Sequence, residues 1–190
     1  MTEVLRNFLD VLPGFRSREV SLFVAQMDDQ SRRLREDLQG VSASELAWQP
    51  ARGMNTIGML LAHIAVVEVL WTTVGLLDET TERFEEVLGI GRDDDGIPLA
   101  AGSQPPTVLA NRELAFYLDL LERTRAHTKA QTAHFTDADL DDVVRRRRPD
   151  RPDREFNKRW VLYHLLEHEA GHYGQILLLR HQYRAGLDPR

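Results

Sequence analysis

The chain has 190 residues, 42% of them apolar, which is enough to bury one sizeable core, so a single domain over residues 1–190 is expected. Charged residues make up 28%, which argues against a largely disordered chain, and 24 Lys plus Arg against 30 Asp plus Glu leave a net charge of −6. Scattered charge of that sign gives no electrostatic footprint for nucleic acid. The absence of cysteine excludes disulfides, zinc–thiolate sites and a cysteine nucleophile, so any thiol chemistry needs a thiol from a cosubstrate.

The leading segment MTEVLRNFLDVLPGF carries Glu3, Arg6 and Asp10 within its apolar stretch and lacks a small-residue cleavage site, so it reads as a poor signal peptide. A first helix is expected from about Ser17 to Gln39, with Val20, Phe23, Met27, Leu34 and Leu38 at helical spacing and Gly40 placed to end it. A second starts near Asn55 or Thr56, both good N-caps, and continues to about Leu77. Its apolar residues run nearly all round, as in a helix buried among neighbours. Its stretch from Ile57 to Leu70 is interrupted by His63 and Glu68 and reads as too short to span a bilayer. No membrane association is expected, and the cytoplasm is the plain location.

A long connection follows, with GIGRDDDGIP and the Pro105–Pro106 pair marking it as loop. Within it Phe84, Val87 and Leu88 suggest a short lid or interface helix. The third helix begins after Thr107, carries Leu114, Leu118 and Leu121, and ends near Phe135. A polar stretch with two prolines precedes the fourth, expected from about Phe156 to Tyr183, before Gly186 and Pro189. Val143 and Val144 could form a brief extended segment with no obvious partner. Four helices with two long connections predict an all-α fold, a four-helix bundle with long crossover connections.

Four of the seven histidines fall between positions 164 and 181. His164, His168 and His172 recur every four residues, a step that rotates only about 40° around a helix. The inward seam of this helix traces through Val161, Leu165, His168, His172, Ile176 and Leu179, so two adjacent imidazoles interrupt an aliphatic stripe. Burying them is unfavourable unless their nitrogens find partners, and a divalent cation such as zinc, nickel or iron satisfies both at once. A third ligand is then wanted from another helix, and His63 in LLAHIAVVE is the candidate. His127 and His134 lie on the polar end of helix three, and His181 suits the last turn of helix four. For a single histidine the ordinary reading is a core residue hydrogen-bonded to a carbonyl or carboxylate; the three together favour a metal.

His168-Glu169-Ala170-Gly171-His172 also matches H-E-x-x-H, in which two histidines hold zinc and the glutamate acts as general base. The extended form of that pattern needs a glycine and a histidine where this chain has Gln175 and Leu178, and no Glu follows position 169. Nor is there a strand to hold an extended peptide. Metallohydrolysis is a minor alternative, with Glu169 about 100° round from His168, in line with Leu162, Leu166 and Tyr173. There it could face a cavity, a carboxylate partner or a subunit interface.

The segment WVLYHLLEHEAGHYGQILLLR resembles the last helix of DinB/YfiT-like four-helix bundle proteins. Leu46-Ala47-Trp48-Gln49-Pro50, then Asn55-Thr56-Ile57-Gly58 and Leu61-Ala62-His63-Ile64, resembles their entry into the second helix. The resemblance implies one metal ion held by His63, His168 and His172, a homodimer, and a small-molecule substrate. Characterised relatives use mycothiol or bacillithiol, which implies a thiol-dependent S-transferase or isomerase with a low-molecular-weight thiol cosubstrate. The competing reading is a non-catalytic stress-response protein with a structural metal. The sequence names no general base; His164 and Gln175 are the first to test.

Arg145 to Arg148 invites a phosphate or nucleic-acid reading, but seven acids sit beside six arginines between Asp137 and Glu155, with no interleaved aromatic for stacking. A solvated loop is expected there. Trp48, Trp71 and Trp160 read as packing anchors, with Trp71, two turns beyond His63, also placed to line a pocket.

Overall fold

A computed structural model describes residues 7–80, 83–147 and 151–187. Glu3, Arg6, Arg148 and Pro189, named above, lie outside the described residues. Six α-helices occur among those described: α1 (Arg18–Asp37), α2 (Ala43–Ala47), α3 (Ile57–Trp71), α4 (Phe84–Leu88), α5 (Leu114–Thr132) and α6 (Lys158–Leu187). The four long ones, α1, α3, α5 and α6, form the bundle. α3 packs on both α5 and α6, and α1 packs on α6 and α5.

The caps follow from local chemistry. Ser17 accepts a hydrogen bond from the Val20 amide at 3.0 Å and opens α1, and Thr56 does the same for Met59 at 3.1 Å in α3. Gly40 takes φ +73° just beyond α1, a left-handed conformation that glycine adopts without strain. α3 passes into a π-helical turn, Thr72–Leu76, where the Thr73 hydroxyl donates to the Val69 carbonyl at 2.9 Å. The continuous helical segment Ile57–Leu76 has 20 residues, long and apolar enough to cross a bilayer by length and composition. This corrects the shorter estimate from sequence. Because 78% of its apolar window is buried inside the protein, it serves here as the core helix.

Three further sequence expectations need correction. Val143 and Val144 do find a partner: β1 (Val143–Arg146) and β2 (Arg154–Asn157) form an antiparallel hairpin, with Val144 opposite Phe156. The arginine-rich stretch is therefore partly strand, and the last helix begins at Lys158. α4 is no lid: Phe84 and Leu88 are buried, and α4 packs on α3 and α5. Thr107–Leu109 makes only a short 3-10 turn before α5 starts at Leu114.

The core falls into two apolar halves. One gathers Leu34, Leu60, Leu61, Leu120 and Ile176; the other gathers Val24, Leu76, Leu140, Phe156 and Val161 at the hairpin end. A polar layer crosses the bundle between them. Arg125 on α5 binds Glu68 on α3 at 2.8 Å, Glu169 on α6 at 3.0 Å and Asp28 on α1 at 3.4 Å. His168 adjoins Glu169 in this layer on α6, and His63 lies five residues before Glu68 on α3.

Candidate metal centre

His63 comes from the middle of α3 and His168 and His172 from successive turns of α6. The Nε2 atoms of His63 and His168 lie 3.3 Å apart, and those of His168 and His172 lie 3.1 Å apart. One ligand atom from each of the three lies within 4.8 Å of the others, a group that could hold a metal ion. Two ligand nitrogens at metal–nitrogen distances of about 2.0–2.1 Å in a tetrahedral site are separated by about 3.3–3.4 Å. The spacing fits.

The opposite ring nitrogens sharpen this fit. His63 Nδ1 lies 2.8 Å from a carboxylate oxygen of Asp95, which is almost wholly buried. Donation to that carboxylate places the proton on Nδ1 and leaves the Nε2 lone pair facing the other rings. His172 Nδ1 is likewise 2.9 Å from the Gln175 side-chain oxygen, with the same consequence. A carboxylate beside His63 is what the ordinary core-histidine reading anticipates, so the discriminating fact is its other nitrogen. With two lone pairs aimed at His168, a single proton on His168 Nε2 satisfies only one of them. A cation satisfies all three rings.

The rings are also held in the form that binds metal. Burial pushes His168 down to about 3, helped by the neighbouring His172, His63 and His164 rings. Burial also lowers His172, with the Gln175 hydrogen bond opposing and His63 assisting. Both are neutral imidazoles at pH 7, with lone pairs free for a cation.

Asp95 escaped the sequence reading. It is the last of three consecutive aspartates in the long connection, and its contact with His63 spans 32 residues. Its second oxygen accepts from the Ile97 amide at 3.0 Å, a local turn that fixes the carboxylate. Gly96 between them has φ +71°, and a Cβ there would lie 2.5 Å from Pro106. A D-G-I-P run in a loop is the one local signal of this turn.

Glu169 is removed from the chemistry. It is 2% exposed, pairs with Arg125 and accepts from the Ser31 hydroxyl at 2.6 Å. Its direct partner is a buried arginine, which the sequence reading did not name. Burial raises its pKa, against the lowering effect of Arg125. Burial opposes the Arg125 charge in turn, but the Glu68, Glu169 and Asp28 carboxylates outweigh it and raise its pKa. A glutamate engaged in this way is not a general base beside the histidines, and the metallohydrolase alternative loses its base.

Gln175 proves to be an orienting partner of His172. His164 stacks on Trp160 with ring centroids 4.7 Å apart and meets Trp71 edge-on at 5.2 Å. His134 and His181 are exposed, and the buried Nε2 of His127 has no hydrogen-bond partner; none of these belongs to the group. A cavity of about 490 Å³ opens at Gln175, the partner of His172, and is lined also by Leu60, Met54, Asn55, Ile97 and Leu178 among others; none of its lining residues is charged. Gln175 is thus shared between the His172 ring and the cavity wall.

A helical bundle with three imidazoles gathered between two of its long helices is a defined class of protein. The DinB superfamily profile matches residues 26–176, and the chain belongs to that superfamily. A crystal structure described as the conserved protein of locus from Enterococcus faecalis superposes with a TM-score of 0.60 at 18% identity, covering 85% of this chain and 94% of that one. At that identity the likeness speaks for the fold. No curated protein of described function matches the chain.

Proposed function

We propose that His63, His168 and His172 bind one divalent metal and that the protein is a metal-dependent small-molecule enzyme, a thiol-dependent S-transferase or isomerase. The observation that supports this reading is the convergence of three Nε2 atoms, with the opposite ring nitrogens of His63 and His172 held by Asp95 and Gln175. A divalent ion held there supplies Lewis acidity and keeps a thiol as thiolate near neutral pH.

The chain's own residues do the rest. Asp95 and Gln175 fix ring orientation and proton position, the outer-shell support that metal sites require. Three protein ligands leave coordination open, as catalytic sites do and closed structural sites do not. The uncharged cavity beyond Gln175 suits a neutral, largely apolar electrophile. The chain has no cysteine, so the sulfur that forms the new bond belongs to a low-molecular-weight thiol such as mycothiol or bacillithiol. In the transfer the thiol loses its proton, a carbon–sulfur bond forms, and the leaving group departs with the bonding pair. His164 is the residue to test as proton acceptor.

A second reading makes the ion a tie between α3 and α6 with no turnover. His63→Ala separates the two. In a thiol-transfer screen run with and without chelator, the catalytic reading predicts turnover that chelator and H63A both abolish while the fold persists. A structural tie predicts no turnover in either state; the loss of thermal stability with the metal is common to both readings.

A further inference from the structure

A second cavity, of about 430 Å³, lies at the far end of α3, against the hairpin. Its walls include Trp71, Phe156, Arg92, Arg146, Arg154 and Glu79. Glu79 is engaged by Arg83 at 3.1 Å, and Arg146 by Asp78 at 2.6 Å. Arg154 is different. Its guanidinium carbon sits 5.0 Å from the Trp71 ring centroid and 4.7 Å from that of Trp160, and no described carboxylate pairs with it.

The hairpin register makes this arrangement costly. Arg146 and Arg154 are directly opposite across the strands, so they share a face, and like charges so placed repel. On the other face the same hairpin sets Arg145 opposite Glu155, an ion pair at 3.5 Å. Charge is matched where the hairpin meets solvent, whereas at the cavity Asp78 pairs Arg146 and leaves Arg154 as the hairpin cation without a described carboxylate. An oxyanion would give Arg154 the counter-charge that Asp78 gives Arg146, and a guanidinium beside aromatic faces offers donors shaped for it.

The cavity is close to the histidines. Trp71 in its wall touches His164, whose ring centroid is 5.9 Å from that of His168. We infer that this arginine-lined cavity binds the carboxylate or phosphate end of a small molecule. The molecule's placement toward the triad rests on the reading proposed above; the binding does not. The site is then two-sided, neutral beyond Gln175 and anion-seeking beyond His164.

Calorimetric titration of the full-length protein with benzoate, phenyl phosphate and benzamide tests this, with metal content recorded in parallel. Tryptophan emission offers a second readout, since Trp71 and Trp160 both lie beside Arg154. Saturable binding of at least one of the two anions is expected, with none for isosteric, neutral benzamide; which anion binds tells carboxylate from phosphate. Arg154→Gln should weaken binding at least 10-fold, Arg154→Lys should restore only part of it, and Arg145→Gln on the outer face should leave it unchanged. Equal binding of benzamide, no saturable binding, or an undiminished R154Q protein would overturn the inference. None of those outcomes alters the metal content, so the metal reading would stand or fall separately.

Discussion

Asp95 holds His63 Nδ1 with one carboxylate oxygen and the Ile97 amide with the other, so a loop residue sets the direction of a helix residue's lone pair. Outer-shell partners of this kind typically contribute about 10–100-fold to metal affinity. Asp95→Asn should therefore weaken metal binding by about that factor in competition with a chelating dye, and an unchanged affinity would remove Asp95 from the account. Glu169 makes the opposite case. Truncation to Ala leaves Arg125 with a buried charge short of one partner, a loss on the order of 3 kcal/mol, while metal content should stay at the wild-type value. Denaturant titration reads the first effect and elemental analysis the second. The histidines were legible in the sequence because a polar ring inside LLAHIAVVE or an aliphatic seam needs a partner. Asp95 was not, because nothing local separates it from Asp93 and Asp94, and Arg125 meets Glu169 across 44 residues.

Between the two apolar halves of the core, each long helix contributes polar groups to one layer: Asp28 and Ser31, Glu68, Arg125, and Glu169. A slip of any helix by one turn would bury those charges unpaired, so the layer fixes the helices' relative height and with it the meeting of His63 with His168. Close packing fixes it elsewhere. At Gly58 an added Cβ would lie 2.8 Å from the Tyr117 ring and 3.3 Å from the Leu46 carbonyl. Gly58→Ala should cost about 1–3 kcal/mol, read from the shift in unfolding midpoint. Tyr117 itself is buried, donates to the Leu109 carbonyl at 3.2 Å, and burial raises its pKa to about 12 against the lowering effect of Arg112. Because the unfolded chain loses this proton first, near its ordinary value of 10.0, stability should fall as pH rises from there toward about 12. Tyr117→Phe should flatten that decline; an equally steep decline would assign it to other groups. Helix periodicity made the four long elements readable, with the cap of the second narrowed to Asn55 or Thr56. The hairpin was obscured because each strand has four residues, half of those in β1 arginine, with no alternation long enough to register.

Across the whole molecule, the imidazoles join α3 to α6, the two helices that carry much of both core halves. A ligand that binds only the folded chain stabilises it in proportion to the logarithm of its concentration, by about 4 kcal/mol at a thousand times Kd. Metal addition should accordingly raise Tm and chelation lower it, whether or not the ion turns over substrate. The account's central claim is tested most directly by the metal stoichiometry of purified protein, measured by elemental analysis on wild type and on a His63→Ala/His168→Ala double variant whose helicity is confirmed by circular dichroism. One equivalent per chain in the wild type and none in the folded double variant is the predicted result. Metal retained by that variant, or a wild-type chain that takes up no divalent ion when supplied with zinc, nickel and iron in turn, would contradict it.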